Sequence, residues 1–418
     1  MVFSSLSFLI FFLPSVLLVY FITPKKFRSL RNGILLVFSL IFYACAGAKF
    51  LLLMLASITI NYACGIFCAK EKTKKTALTT GILLNLGLLA YFKYAGFFGE
   101  ILHTLIASIP VPEIILPIGI SFFTFQGMSY IIDIYRSDAK VQKNPLKVAL
   151  YISFFPQLIA GPIVRYTTIA QEITNRNEKL SDIVSGTIRF LIGLGKKMVL
   201  ANTMAEIADA AFAYPAPAAS FAWLGVVAYA LQIYFDFSAY SDMAIGLGRI
   251  VGFHFLENFN YPYIAKSVKD FWSRWHISLT TWFRDYLYIP LGGNRCSKTM
   301  HIRNIAIVWL LTGFWHGAAW NFVFWGLWYC CFLLGEKFLW GDFLEKWPSP
   351  ARHLYTLFIV LLGWVLFRAD NLTLATDYIK AMFGANGLFS HGQAVYYFLE
   401  YRYEWLLCLI AVFPVKRK

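Results

Sequence analysis

Apolar runs long enough to cross a hydrocarbon core of about 30 Å recur from one end of this chain to the other, and nothing else restricts its fold as strongly. They fall near 5–23, 32–48, 50–69, 77–98, 114–135, 183–202, 218–235, 237–254, 304–316, 318–340, 352–368 and 403–415. Several are short or broken by Gly or Pro, so the expected count is about ten to twelve spans. Hydrocarbon offers no water to an unpaired amide or carbonyl, which leaves helices as the economical way across. Composition agrees: 59% of the residues are hydrophobic and only 14% are charged, so most of the surface cannot face water. The expected fold class is all-α, a polytopic integral membrane protein.

The first run, "SFLIFFLPSVLLVYF", has no basic stretch before it and no Ala before Ala44 to build a cleavage site. It is expected to stay attached as a transmembrane helix. The net charge of +15 does not point to nucleic acid, because the basic residues cluster in short loops at 24–31, 69–75 and 135–147. Two apolar runs separate each cluster from the next, so all three share one side, which the positive-inside rule makes cytoplasmic. The loop 99–113 carries two Glu and no Lys or Arg, as an outer loop should. The N-terminus is then extracytoplasmic, and the basic inner face suits anionic headgroups of the lipid bilayer. The seven cysteines form no paired CxxC pattern, and none is assigned to a metal.

No linker rich in Gly, Ser or Pro divides the chain, which reads as a single domain over 1–418. Plain spans occupy 1–145, polar and aromatic interruptions mark 146–340, and further spans fill 341–418. In "SFFPQLIAGPIVRY" (153–166), Pro156, Gly161 and Pro162 cannot sit in a smooth helix. The segment is either a re-entrant element lining a cavity or a kinked span ending at Arg165. "LQIYFDFSAYSDMAIGLG" (231–248) carries Asp236 and Asp242 at membrane depth, where carboxylates face an interior or a cavity. Six residues apart on a helix they point about 120° from each other, which reads as two hydrogen-bond anchors and not one acid–base pair.

Residues 263–295 hold a third interruption. On a helical wheel Phe271, Trp272, Trp275, Leu279, Trp282 and Phe283 share one arc, while Lys269, Asp270, Ser273, Arg274, Thr280 and Thr281 lie opposite. This predicts one amphipathic helix over 268–284, lying in the membrane interface. His276 falls at the edge of the aromatic arc, pointing inward or along the surface.

"GFWHGAAW" (313–320) raises the sharpest question, because Ile305 to Gly335 contains no Asp, Glu, Lys or Arg and yet holds His316. A buried imidazole costs free energy unless its nitrogens find partners. It is either a core residue gluing helices together or a proton-handling group. Gly313 and Gly317 bracket it, permitting close backbone approach or a helix break, and Trp309, Trp315 and Trp320 crowd it. Asn321 is a nearby amide. Imidazole is the side chain best suited to take a proton from a hydroxyl near neutral pH. Other chemistries lack their motifs: there is no HExxH, no GxSxG and no GxxxxGK[ST]. A proton-coupled secondary transporter remains the rival reading, since broken helices and membrane-depth Asp and His suit it. Against it, no two-halves symmetry appears.

Together "FFPQLIAGPIVRY", "QIYFDFSAYSDMAIGLG", "NFNYPYIAKSVKDFWSRWHISLTTWFRDYLYIPLGGNR" and "LTGFWHGAAWNFVFWGLW" resemble the membrane-bound O-acyltransferases. The likeness covers roughly 1–385 and is strongest to the bacterial alginate and peptidoglycan O-acetyltransferases, with the teichoic-acid D-alanylation transporter as a cousin. The resemblance implies that His316, in the buried WHG motif, is the catalytic residue and that His276, in WHxSL, is the second active-site histidine. It implies a ring of helices, with re-entrant and interfacial elements, around a central tunnel joining the two faces of the membrane. Asn321, Trp315, Arg274, Trp275, Asp236 and Asp242 are the expected supporting or tunnel-lining side chains, and Asn321 is the candidate oxyanion donor. The implied reaction moves an acyl group, acetyl in this branch, from a cytoplasmic thioester such as acetyl-CoA to a hydroxyl outside. The acceptor is a polysaccharide or a partner periplasmic acetyltransferase, and no cofactor is held. Many relatives in this branch carry longer C-terminal tails, so 341–418 is expected to be a naturally short or a shortened end.

Overall fold

The computed structural model describes residues 1–159, 161–390 and 392–414. Every regular element among them is helical. The chain forms two compact units, Met1–Leu194 with Tyr240–Leu256, and Gly195–Ala239 with the residues from Glu257 onward.

The first unit begins with a π turn over Ser7–Phe12 that runs into α1 (Leu13–Ile22). It continues through α2 (Arg28–Ala44), α3 (Ala48–Cys68), α4 (Lys74–Leu105), α5 (Ile120–Arg136), α6 (Pro145–Ser153), α7 (Phe155–Leu158), α8 (Tyr166–Thr174) and α9 (Leu180–Gly195). Helices α3, α4 and α5 pack on one another. Between α3 and α4 the amides of Asn61 and Asn85 exchange two hydrogen bonds of 3.1 and 3.0 Å, polar glue where no water competes. The described residues of the ambiguous motif at 153–166 form short broken elements and not one kinked span. Helix α6 has nine residues, ~14 Å of rise, and stops at Ser153. Four-residue α7 follows. Phe154, Phe155, Leu158, Ile163 and Val164 are buried, so the irregular backbone is enclosed by protein, the setting in which it is tolerated at membrane depth.

The second unit opens with a π turn at Lys196–Ala201 and α10 (Asn202–Ala213). Helix α11 (Ala219–Ile250) contributes its residues through Ala239 here and the remainder to the first unit. Then come α12 (Val268–Arg274), α13 (Ile277–Phe283), α14 (Lys298–His316), α15 (Trp320–Phe338), α16 (Gly341–Glu345), α17 (Ser349–Arg368), α18 (Leu372–Met382), α19 (Gln393–Glu400) and α20 (Arg402–Val412). Four helices of the described residues are long and apolar enough to cross a membrane: α3, α4, α11 and α17. The chain is thus a multi-pass membrane protein.

Two expectations change. The runs 218–235 and 237–254 are one helix of 32 residues, α11. Asp236 and Asp242 suggested an interruption, but each carboxylate meets a cation: Lys197 Nζ lies 2.9 Å from Asp236, and Arg189 reaches Asp242 at 2.8 Å. Neutralised in this way, they leave the helix no reason to break. The helix expected over 268–284 does break, at Trp275–His276, and its aromatic face does not lie on headgroups. Phe271, Trp272, Trp275, Leu279, Trp282 and Phe283 are all buried inside the protein.

Candidate active site

The break between α12 and α13 is built from both sides. At the start of α12, Ser267 Oγ accepts from the Asp270 amide at 3.0 Å. The Glu336 carboxylate, from α15, accepts from the amides of Val268 (2.7 Å) and Lys269 (3.0 Å). These contacts satisfy amides that a helix start leaves open and fix α12 against α15. At its other end His276 takes φ +45°, ψ 53°, left-handed backbone that costs a residue with a Cβ about 1–2 kcal/mol. The neighbouring segment holds it there: Ile277 N donates to Asn258 O at 2.9 Å, and Asn260 N donates to Arg274 O at 2.9 Å. Non-glycine left-handed residues that a surrounding structure enforces cluster at functional sites.

This turn puts the His276 side chain inside the protein, 1% exposed. Its Nδ1 lies 3.2 Å from Asn258 Oδ1 and 3.4 Å from Ser278 Oγ. Its Nε2 has no hydrogen-bond partner among the described residues. The ring meets Phe237 edge-on at 4.6 Å between centroids and Trp315 at 5.8 Å. Burial pushes the imidazole pKa well below its ordinary value, so the ring is neutral.

His316 is the last residue of α14 and is partly accessible. Its ring packs edge-on against Trp325 (4.8 Å) and Phe367 (5.1 Å), and Trp315 lies beside it at 4.8 Å. Glycine makes this arrangement possible. A Cβ on Gly313 would sit 2.4 Å from the Phe322 carbonyl oxygen, and one on Gly326 would sit 2.5 Å from that of Trp309. Both bracketing glycines therefore act as the sequence suggested: Gly313 lets α14 and α15 touch backbone to backbone, and α14 ends just before Gly317. That approach seats Trp325 on His316.

Of the expected site residues, His276, Trp315 and His316 come together, with both imidazoles against one indole. Trp275 is two rings away, through Phe259 (5.1 Å) and Phe237. Arg274 braces the turn, its Nε 2.7 Å from Asp270 Oδ1 and its Nη1 3.3 Å from Asn260 O. Asn321 acts as a brace here: its amide nitrogen donates to Ala369 O at 2.8 Å and points a longer bond at Leu366 O. Asp236 pairs with Lys197 in the second unit, and Asp242 pairs with Arg189 in the first. Sequence reasoning missed Asn258, Phe237, Trp325 and Phe367. Asn258 and Phe237 lie within motifs already singled out, yet an Asn or Phe in an apolar stretch carries no chemical signature of its own. Trp325 and Phe367 reach His316 only through tertiary packing.

A multi-pass helical membrane protein with two histidines sharing an indole in its interior is the class that fold and site define. The model of the MBOAT, membrane-bound O-acyltransferase family, matches residues 67–374, and the chain belongs to that family. It is 45% identical over 392 residues to a probable alginate O-acetylase AlgI of Azotobacter vinelandii, covering 92% of this chain and 78% of the relative. To the protein of the same description from Pseudomonas aeruginosa it is 43% identical, covering 92% and 75%. To a peptidoglycan O-acetyltransferase of Helicobacter pylori it is 37% identical over 427 residues, covering 93% and 81%. The chain is an acyl-transferring enzyme, and nothing in these likenesses supports the transporter reading.

Proposed function

We propose that this protein takes an acetyl group from a cytoplasmic thioester, acetyl-CoA or another acyl carrier, and delivers it to a hydroxyl outside the membrane. The acceptor is an exopolysaccharide or peptidoglycan hydroxyl, or a hydroxyl of a periplasmic acetyltransferase that completes the transfer. The reading places the chain in a bacterial inner membrane with its N-terminus outside, and requires a tunnel that lets the acyl group pass without its large polar carrier. The observation that carries it is the pairing of His276 and His316 on Trp315, in a chain whose relatives include alginate and peptidoglycan O-acetylating proteins.

In this mechanism the acceptor oxygen adds to the thioester carbonyl while His316 takes its proton. The tetrahedral intermediate expels the thiolate, which regains that proton from His316, leaving an ester and a free thiol. Proton transfer of this kind contributes about 10²–10⁴-fold in rate. A positive charge appearing on His316 meets the carbonyl end of α14, where a helix favours cations by ~0.3–1 kcal/mol. His276, neutral and buried, orients the acceptor hydroxyl.

The test is acetate content of the cell-surface glycan in cells carrying His316→Ala at normal membrane levels. Loss of glycan acetate is the expected result, and unchanged acetate overturns the catalytic role. Replacing His276 by Ala is expected to be severe as well.

A further inference from the structure

We propose that Asn258 is a positioning residue that fixes the tautomer of His276, so that the bare nitrogen facing the reaction is Nε2. The proposal rests on the acyl-transfer reading above and goes beyond it by assigning protons to named atoms. The argument begins with the Asn258 side chain. The Ser278 backbone amide points at its Oδ1 from 3.1 Å, and an amide N–H only donates, so this atom is the carbonyl oxygen and not the NH₂. The Ser278 hydroxyl donates to the same oxygen at 2.8 Å, which commits its proton. His276 Nδ1 is the third group facing that oxygen, at 3.2 Å. A bare Nδ1 there would set lone pair against lone pair. Nδ1 therefore carries the hydrogen, and in a neutral ring Nε2 then carries the lone pair.

Two further features fit. The left-handed turn at His276 and the bond from Ile277 N to Asn258 O hold the Asn258 backbone and the imidazole in register. Nε2, on the far edge of the ring, is buried with no donor among the described residues to meet it. A buried acceptor left without a partner is costly, and a hydroxyl arriving there removes that cost. In this tautomer His276 cannot offer an N–H from Nε2 to a developing oxyanion. Its resting role is to accept the hydrogen bond of an incoming O–H and aim that oxygen, leaving proton removal to His316.

The test reads the tautomer directly. Solid-state ¹⁵N spectra of the full-length protein in lipid, carrying ¹⁵N-histidine, are compared with spectra of His276→Gln, which identify the His276 signals by their disappearance. The expected spectrum shows a protonated Nδ1 and a bare Nε2. The opposite assignment overturns the proposal, and it is read on the wild-type protein whether or not Asn258→Leu folds. In Asn258→Leu the tautomer signature is expected to change, and kcat to fall at least about tenfold with a smaller change in KM for the thioester. Asn258→Asp restores an acceptor and is expected to recover much of that loss. If Asn258→Leu keeps both the wild-type signature and the wild-type kcat, Asn258 does not set the tautomer. If it changes the signature and not the rate, the tautomer has no part in transfer. Either result ends the proposal. Because the spectrum is read without turnover, its failure is distinct from failure of the acyl-transfer reading, which the acetate content of the His316 variant decides.

Discussion

Trp315 lays its indole against the imidazole of His276 at 5.8 Å between centroids, while its own chain neighbour is His316. One side chain thus forms a wall common to both candidate catalytic rings. Trp315→Ala removes that wall and leaves a buried void, a change that costs ~3–5 kcal/mol in packed cores. Both thermal stability and acetyl transfer should fall. Trp315→Phe keeps an aromatic surface and should retain more of each. Comparable transfer by the Ala variant and wild type would mean the indole has no part in seating the histidines.

The contact of Trp325 with His316 depends on how closely α14 and α15 approach. Gly313→Ala places a methyl 2.4 Å from the Phe322 carbonyl oxygen, a backbone atom that cannot swing aside. The helices must separate, at a cost of ~1–3 kcal/mol or more, and transfer should drop with stability. Gly87, in α4, has nothing within 4 Å of an added Cβ, and Gly87→Ala is the matched comparison with little expected effect. Melting temperatures and transfer rates of the two variants check this. Equal behaviour would show that the close approach is dispensable.

Asn321 separates a brace from an oxyanion donor. Its amide nitrogen already donates to Ala369 O at 2.8 Å, tying the start of α15 to the end of α17. Asn321→Ala should lower the melting temperature, by the ~1–3 kcal/mol that an orphaned buried carbonyl costs, with a parallel and modest loss of rate. Removing a true oxyanion donor instead costs about 10²–10³-fold in kcat. A loss of that size at unchanged melting temperature would reinstate the donor role.

The parts of this architecture written in local pattern were legible before the structure. Uninterrupted apolar runs announced helices, and an imidazole in the charge-free stretch from Ile305 to Gly335 stood out because burial makes it expensive. What escaped was decided by partners distant in sequence. A helical wheel assumes an unbroken helix, so it carried the pattern through His276, where bonds to the Asn258 and Asn260 segment impose a turn. Asp236 looked like a reason for a break because Lys197, its partner, lies 39 positions earlier by number. Asn258 was invisible for a related reason: its chemistry depends on three donors converging on one oxygen, and only folding brings them there.

In the first unit the Glu178 carboxylate is buried among Arg28, Arg31 and Arg176 and accepts from the Tyr20 hydroxyl at 2.5 Å. Burial by itself would raise its pKa, but hydrogen bonds from Arg28 and Tyr20 outweigh that and hold it at about 2, below the ordinary 4.5. A carboxyl lowered in the folded state contributes stability that is complete above its unfolded pKa and lost as the folded form is protonated. The window therefore runs from about pH 4.5 down to about 2. Glu178→Gln leaves three guanidinium groups without their shared carboxylate, and breaking a buried pair costs ~3–5 kcal/mol. Thermal unfolding of the purified protein should show the variant clearly less stable at neutral pH. The gap to wild type should narrow as the pH falls through that window, because wild type loses the same charge there. A gap that stays constant from neutral pH to pH 3 would mean that ionisation of Glu178 is not what this cluster contributes.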